Sequence, residues 1–493
     1  RRSPLLPLLA HHYQQAENVA RERHYARLAG LQAADQYANS EALAYFSRAL
    51  TLTPHDHLAG RFDLMLERIR VYVRQENMAA VARELDLMEP LAEALDDDAR
   101  RALCATQRAG HAAHTSDYPG AIAAAQRAIA LDQAAGEFAN AIYAHRICAF
   151  VFGQWGDLGT ARTQNEMVLR LARQHGDQFN EARALNAIGC NLVDLGDCAT
   201  ASTYFQAFLR LSRESGNEAN ASIGLRNLGN VALVTRDYRA ARDYFLESLR
   251  TARAAGVTTA ERTIPRDLGE VAQAMGDYET ALAAYEQSLR LINQVGDPIL
   301  EGEIFCELAR LYWKRGDYTT ARAYAQRARH IAHTIDSRLL EAEAITALGH
   351  VELAIGESAT ARDTYQAALD ARRAMGQATR ALEGLAGLAR VALATGDLSG
   401  ALAQVNAILA HSEFRPLDGA MDPSLIELTC YQALHAADDP RAADVLAAAY
   451  ARLQQTLATI PDPSGQKMFL EQVPANRALV AAWIASQPLI PVA

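Results

Sequence analysis

Residues 185–216 read LNAIGCNLVDLGDCATASTYFQAFLRLSRESG, and most of the chain repeats that phrase with variations. It has two halves of about one helix each, divided by Gly196-Asp197 and closed by Gly216. The dividing mark recurs every 40 residues, at Gly156-Asp157, Gly276-Asp277, Gly316-Asp317, Gly356-Glu357 and Gly396-Asp397, with Ser116-Asp117 and Arg236-Asp237 as degenerate copies. An alanine follows each mark by five residues, at Ala121, Ala161, Ala201, Ala241, Ala281, Ala321, Ala361 and Ala401. The closing mark keeps the same beat at Gly136, Gly176, Gly216, Gly256, Gly296 and Gly376, and Asp336 fills one slot. Self-similarity at one fixed period of this length is the signature of a solenoid.

One unit accounts for the spacing. Leu185, Ile188, Leu192 and Leu195 fall at helical steps in the first half, as do Tyr204, Phe208 and Leu211 in the second. A glycine just past each run adopts the left-handed conformation that ends a helix. A helix of about 16 residues is a rod roughly 24 Å long. The alanine five residues into the second helix lets the two rods of a hairpin approach closely. A single hairpin cannot bury its apolar face, so neighbours must stack.

A small residue eight into the first helix (Gly189, Gly229, Gly269, Ala309, Gly349, Ala389), taken with the later alanine, resembles the tetratricopeptide repeat. The stretch NSEALAYFSRALTLTP is the most literal copy, with Ala42, Phe46, Ala49 and Pro54 at that repeat's second-helix spacing. The resemblance covers roughly residues 19 to 450, with a 40-residue period in place of the usual 34. It implies an all-α fold: a right-handed superhelical solenoid of antiparallel helix hairpins.

The totals bound the function. The 493 residues carry 48 basic and 58 acidic side chains, a net charge of −10. No global basic field exists to hold nucleic acid, and no apolar run approaches the ~18 residues of a membrane span. The start, RRSPLLPLLAHHY, is not read as a signal peptide: its apolar run is short, Pro7 interrupts it, and no small-residue cleavage site follows. The chain does not begin with methionine and is expected to be part of something longer. Cys104, Cys148, Cys190, Cys198, Cys306 and Cys430 show no close pairing, which points to reduced thiols and a cytoplasmic location. Asn220-Ala221-Ser222 matches the glycosylation triplet and is discounted in that setting.

Along the chain, the spacing predicts helices near 4–17, 19–37 and 40–52, so that residues 1–55 form a helical junction with a first repeat-like hairpin. Residues 56–115 are degenerate repeats, with Glu76-Asn77 at the mark and Val81 in the alanine slot. The strict array spans 116–415. Pro265 is its chief defect, standing where Leu185, Leu225, Phe305, Ile345 and Leu385 stand elsewhere. Proline inside a helix costs about 3 kcal/mol, so the helix is expected either to start late, near Ile264, or to bend there as a hinge. From 416 to 493 the pattern decays through SEFRPLDGAMDPS into a last hairpin, near 422–437 and 440–459, and a cap.

The junction LLPLLAHHYQQAENVARERHYARLAGLQAADQYANSEALAYFSRAL and the ending QKMFLEQVPANRALVAAW are similar to those flanking the C-terminal repeat arrays of large bacterial signal-transduction ATPases of the STAND/AAA type. Such proteins often carry a transcription-factor or nucleotide-cyclase domain at the other end.

Catalytic phrases are absent. There is no G-x-x-x-x-G-K-[ST], so these residues hold no P-loop, and G-x-S-x-G and H-E-x-x-H are missing too. Adjacent His11 and His12 would point about 100° apart on a helix, a poor metal pair. Asp96-Asp97-Asp98 reads as a helix start, where carboxylates suit the dipole. No enzyme activity, metal or cofactor is expected.

A binding surface is expected instead. In the repeats this chain resembles, the first helix of each hairpin lines a concave groove at its second, fifth, ninth and twelfth positions. That maps the fifth slot onto Arg146, Asn186, Arg226 and Arg266, with Asn227 beside Arg226. The ninth holds Phe150, Cys190, Asn230, Glu270, Arg310, His350 and Arg390; the second holds Tyr143, Arg183, Glu303, Glu343 and Glu383; Trp313 takes a twelfth. The groove so drawn is basic and amide-rich in its middle, with an acidic ladder beyond, and Arg226, Asn230 and Arg266 form an anion-holding cluster. Arginines in a row fork onto carboxylates or phosphates, and a tryptophan beside an arginine is the composition of an interface hot spot. The plain alternative is a solvated face, since a strict repeat makes rows of like charge automatic. The expected partner is a protein, a peptide or a small effector, with an ATPase module in the same parent chain. The rival expectations are a stand-alone adaptor and the regulatory arm of an enzyme such as a cyclase or protease.

Overall fold

The computed structural model describes residues 5–293, 296–414, 417 and 419–487. Among the described residues there are 25 α-helices and no strand, and no helix is long and apolar enough to cross a membrane. The chain is an all-α solenoid of antiparallel hairpins. It divides into two compact units: residues 1–155 with 163–180, and residues 156–162 with 181–493.

The first unit contains α1 (Leu6–Gln15), α2 (Val19–Asp35), α3 (Asn39–Thr51), α4 (Leu58–Arg74) and α5 (Met78–Ala94). It continues through α6 (Asp98–His114), α7 (Tyr118–Ala135), α8 (Ala139–Gln154) and most of α9 (Leu158–His175). Its degenerate repeats keep the hairpin core: Phe62, Met65 and Ile69 of α4 pack on Val81, Leu85 and Met88 of α5. Asp97 caps α6, accepting from the Arg100 N–H at 3.1 Å, as the acidic run suggests.

The second unit pairs α10 (Gln178–Asp194) with α11 (Cys198–Glu214), α12 (Glu218–Val234) with α13 (Tyr238–Ala254), and α14 (Thr259–Ala274) with α15 (Tyr278–Ile292). Then come α16 (Pro298–Lys314) with α17 (Tyr318–Thr334), and α18 (Arg338–Ala354) with α19 (Ser358–Ala374). Next are α20 (Ala378–Ala394) with α21 (Leu398–Phe414), α22 (Pro423–Ala436) with α23 (Arg441–Thr459), and finally α24 (Pro463–Glu471) and α25 (Pro474–Ser486). Arg415, Pro416 and Asp418 of the stretch SEFRPLDG lie outside the described residues.

The repeat marks have a mechanical explanation. In the Gly196-Asp197 turn, Gly196 takes φ +83°, and the Asp197 N–H bonds back to the Leu192 carbonyl at 2.8 Å, closing α10 by the six-residue return of a Schellman turn. Asp197 then caps α11 by accepting from the Thr200 N–H. Each repeating alanine has 0% exposure, from Ala121 to Ala401. The small slot of the first helix faces an aromatic ring 16 residues later: a Cβ on Gly189 would stand 2.5 Å from Phe205, and one on Gly229 2.6 Å from Phe245. Gly269 and Gly349 meet Tyr285 and Tyr365 in the same way. Where the slot is alanine the partner shrinks, as in Ala309 with Ala325 and Ala389 with Val405. Of the expected core of the second helix, Phe208 is buried, while Tyr204 and Leu211 stand at the margin and Phe205 is buried in their stead.

Pro265 does not delay its helix. It stands inside α14, which starts at Thr259, so the expected late start near Ile264 is corrected. The hairpin keeps its neighbour's packing, for the Ser288 hydroxyl donates to the Arg262 carbonyl, the bond Ser248 makes with Ser222 one repeat earlier.

Within the second unit the array returns on itself. Leu453, Ile460, Phe469 and Val473 pack into one core with Tyr238 and Phe245, and the Tyr278 hydroxyl donates to the Gln472 carbonyl at 3.2 Å. Turn glycines receive the returning chain: a Cβ on Gly276 would lie 2.9 Å from the Met468 carbonyl oxygen, and one on Gly156 2.6 Å from the Cα of Met375. Arg236 replaces glycine at its turn with φ +64°, and its side chain lies 3.6 Å from Glu427 of α22. The degenerate copy of the mark is thus a point of closure.

Candidate functional site

The return converts the concave face of the second unit into a cavity of about 430 Å³. Its walls are the first helices of successive hairpins: α10, α12, α14, α16, α18, α20 and α22. On α20 the lining residues are Arg380, Glu383, Ala386 and Arg390, steps of three and four that place them on one helical face.

The charges of this cavity are largely paired with one another. Arg266 reaches Glu270 at 2.6 Å, Glu303 at 2.5 Å and Asp267 at 3.4 Å. Burial works against its charge, and those three carboxylates override it, holding its pKa well above the ordinary value. Arg310 pairs with Glu307, which also accepts from the Gln273 amide. Glu343 lies 2.8 Å from Arg380 and 3.6 Å from Arg372. Burial disfavours this carboxylate, yet the surrounding arginines pull its pKa below the ordinary value. Glu383 accepts the Met421 N–H, but burial outweighs that bond and the nearby arginines, and its pKa is raised.

Two groups seal the return. Asp422 caps α22 with one oxygen, accepting from the Leu425 N–H at 3.1 Å, and holds Lys314 of α16 at 2.9 Å with the other. Burial opposes ionisation of both partners, and their mutual attraction wins: the carboxylate is pulled down and the ammonium pushed up.

At another wall His350 stacks on Trp313, with ring centroids 4.7 Å apart. Its Nδ1 lies 2.7 Å from the Tyr365 hydroxyl and 2.8 Å from Arg390 Nη2, which also donates to the Tyr365 oxygen. Burial, followed by the charges of Arg390, Arg310 and Lys314, keeps His350 well below the ordinary histidine value. It is a neutral acceptor at physiological pH. Tyr365 arises from the aromatic slot opposite Gly349, so the repeat's packing device here delivers a hydroxyl to the concave side.

Of the residues the sequence nominates, Asn227, Asn230, Arg266, Glu270, Glu303, Arg310, Trp313, Glu343, His350, Glu383 and Arg390 line this one cavity. Arg226 stands behind the wall, bidentate on the fully buried Asp267 at 2.5 and 3.0 Å. Asn186 accepts from the Asn227 amide at 2.7 Å, and Arg183 is not among the lining residues. Tyr143, Arg146 and Phe150 belong to α8 of the first unit. There Arg146 lies over the Tyr143 ring at 5.3 Å and donates to Asn180. Within the expected basic middle, Arg226 and Arg266 are engaged by Asp267, Glu270 and Glu303, and in the expected acidic ladder Glu343 is engaged by arginines. Sequence reading missed Asp194, Arg236, Lys314, Arg372, Arg380 and Asp422. Of these only Arg236, breaking a glycine slot, left a visible signal.

Fold and site together define a tetratricopeptide-repeat superhelix, a scaffold for molecular interaction. The model of the MalT-like TPR region matches residues 180–456, more than half of the sequence, and the chain belongs to that family. No curated protein sequence matches it. Among solved structures it is similar to a Rap protein complexed with competence and sporulation factor, with TM-score 0.51, 13% identity, 72% of this chain and 99% of that one. It is equally similar to the apo quorum sensor NprR from B. thuringiensis, with TM-score 0.51, 13% identity, 73% of this chain and 99% of that one. A STAND ATPase with a tetratricopeptide-repeat sensor from Pyrococcus horikoshii aligns with TM-score 0.38, 15% identity, 71% of this chain and 55% of that one. Identities this low speak to fold alone, and the last score carries no argument.

Proposed function

We propose that the second unit is a ligand-sensing module, in which a small effector or short peptide occupies the cavity and stabilises the returned form of the array. The observation that carries this reading is the cavity itself: about 430 Å³, the size of a small-molecule site, lined by charged and amide side chains from seven helices. Its closure depends on contacts between segments distant in sequence, so a ligand touching both sides favours the closed state over an open one. A ligand shifts an equilibrium only by such a preference. In a parent chain carrying a signal-transduction ATPase, as the junction and tail resemblances imply, that shift is what the array transmits. Pro265, beside Arg266 in the wall and unable to donate a helix hydrogen bond, is the proposed point of flexure. A second reading, an adaptor that assembles proteins, is favoured by the first unit, where Tyr143 and Phe150 of α8 are 42% and 52% exposed.

Native mass spectrometry against a panel of short peptides, amino acids, oligosaccharides and nucleotides tests the leading reading. Asn230 faces the cavity, and Asn230→Trp obstructs it. The wild type is expected to retain a panel member that the variant loses. Equal retention by both would place the ligand elsewhere and overturn the reading.

A further inference from the structure

Every cation lining the cavity except one has a carboxylate within ion-pair distance: Arg236 has Glu427, Arg266 has Glu270 and Glu303, and Arg310 has Glu307. Lys314 has Asp422, and Arg372 and Arg380 share Glu343. Arg390 is the exception among the described residues. Its Nη2 meets only the neutral Tyr365 and His350, and its Nε is buried without a partner. Among the described lining carboxylates two lack a cation within ion-pair distance: Glu383, which accepts the Met421 N–H, and Asp194, at the end of α10. It makes no hydrogen bond or ion pair among the described residues, and burial raises its pKa. The arginines whose charge it feels, Arg380 and Arg372, already hold Glu343. A cavity that leaves one cation without a carboxylate and one carboxylate without any bond is costly by itself, and such groups call for an explanation in what they await.

The α20 helix gives the scale between them. Arg380, which Asp194 feels, and Arg390 line the same face of α20 ten residues apart, about 15 Å at 1.5 Å per residue. An extended peptide advances roughly 3.3 Å per residue, so about four or five residues cover that span. We propose that the cavity binds a short peptide with free termini, its ammonium on Asp194 and its carboxylate on Arg390. Asn230, facing the cavity between the walls with no described hydrogen bond of its own, offers an amide to the peptide backbone. A neutral oligosaccharide would leave both charges unmatched, a fatty acid would leave Asp194, and a phosphate dianion asks for more free cations than one.

This inference rests on the cavity being the ligand site, and the test separates the two. The probe is an equimolar pool of random tetrapeptides with free termini, alongside the same pool N-acetylated, C-amidated, or blocked at both ends. The readout is the rise in Tm of the full chain. The free pool is expected to act at a concentration about tenfold or more below either singly blocked pool, the loss of one charged hydrogen-bonding partner. Arg390→Gln is expected to erase discrimination against the amide alone, and Asp194→Asn against the acetyl alone. The blocked pools tested on wild type keep the proposal falsifiable should a variant fail to fold. Equal action of free and doubly blocked pools would overturn it. A neutral oligosaccharide that binds wild type but not Asn230→Trp, with no effect of any peptide pool, would overturn the inference and leave the cavity reading standing. If no probe raises Tm and native mass spectrometry retains nothing, both fall.

Discussion

Gly229 and Phe245 show how one residue pair sets the distance between two helices. Both are well inside the wall, with Phe245 at 0% exposure, and a Cβ on the glycine would meet the ring 2.6 Å away. Gly229→Ala is therefore expected to destabilise the protein by about 1–3 kcal/mol through overpacking. Phe245→Leu in the same chain is expected to recover part of the loss, because a smaller ring slot is what Ala389 tolerates opposite Val405. Denaturant unfolding of the single and double variants gives the coupling energy; additive effects would mean that the two slots do not read each other. The alanine slots were legible from spacing alone, since a residue forced to be small by a close helix crossing recurs with the period. The phase of the second helix was less legible. Tyr204 and Phe205 stand equally well beside Phe208 on a helical stripe, and only the hole at Gly189 selects Phe205.

At the scale of elements, α22 does two jobs through its first turn. Asp422 caps the helix and binds Lys314 of α16, so one side chain starts a helix and ties it to the facing wall. Asp422→Asn keeps a capping oxygen while removing the ion pair, and is expected to cost about 3 kcal/mol, the penalty for leaving a buried ammonium unpaired. The pH dependence follows from the two shifts. The depressed carboxylate contributes stability above its ordinary pKa of 3.8, lost as pH falls through its lower folded value. The elevated ammonium contributes below its ordinary 10.5, lost as pH rises through its higher folded value. Proteolytic susceptibility of the α22 segment is expected to stay low between those limits in the wild type and to be raised throughout in Asp422→Asn. Unchanged susceptibility would mean that the apolar core of the return holds α22 without the pair. A helix starting near residue 422 was legible here; the tie from Asp422 to the facing wall was not, because Lys314 lies more than 100 residues away.

For the second unit as a whole, periodicity predicted a stack of hairpins with a shared concave face, and the first helices do line one cavity. What periodicity could not carry is closure. Contacts such as Tyr278 with Gln472 or Arg236 with Glu427 join segments that follow no common beat, and only the substituted glycine at 236 marked one of them. For the same reason the groove looked open and charged in sequence, whereas its arginines and glutamates neutralise one another across neighbouring hairpins. The central claim is that a ligand in this cavity favours the returned form. Hydrogen–deuterium exchange of the full chain, with and without the panel member that Asn230→Trp fails to retain, tests it directly. The account predicts slower exchange in α14, α16 and α18 of the wall together with α22 to α25 of the return. Exchange in α2 to α7 should be unchanged. Protection confined to the first unit, or to one wall without the return, would contradict it.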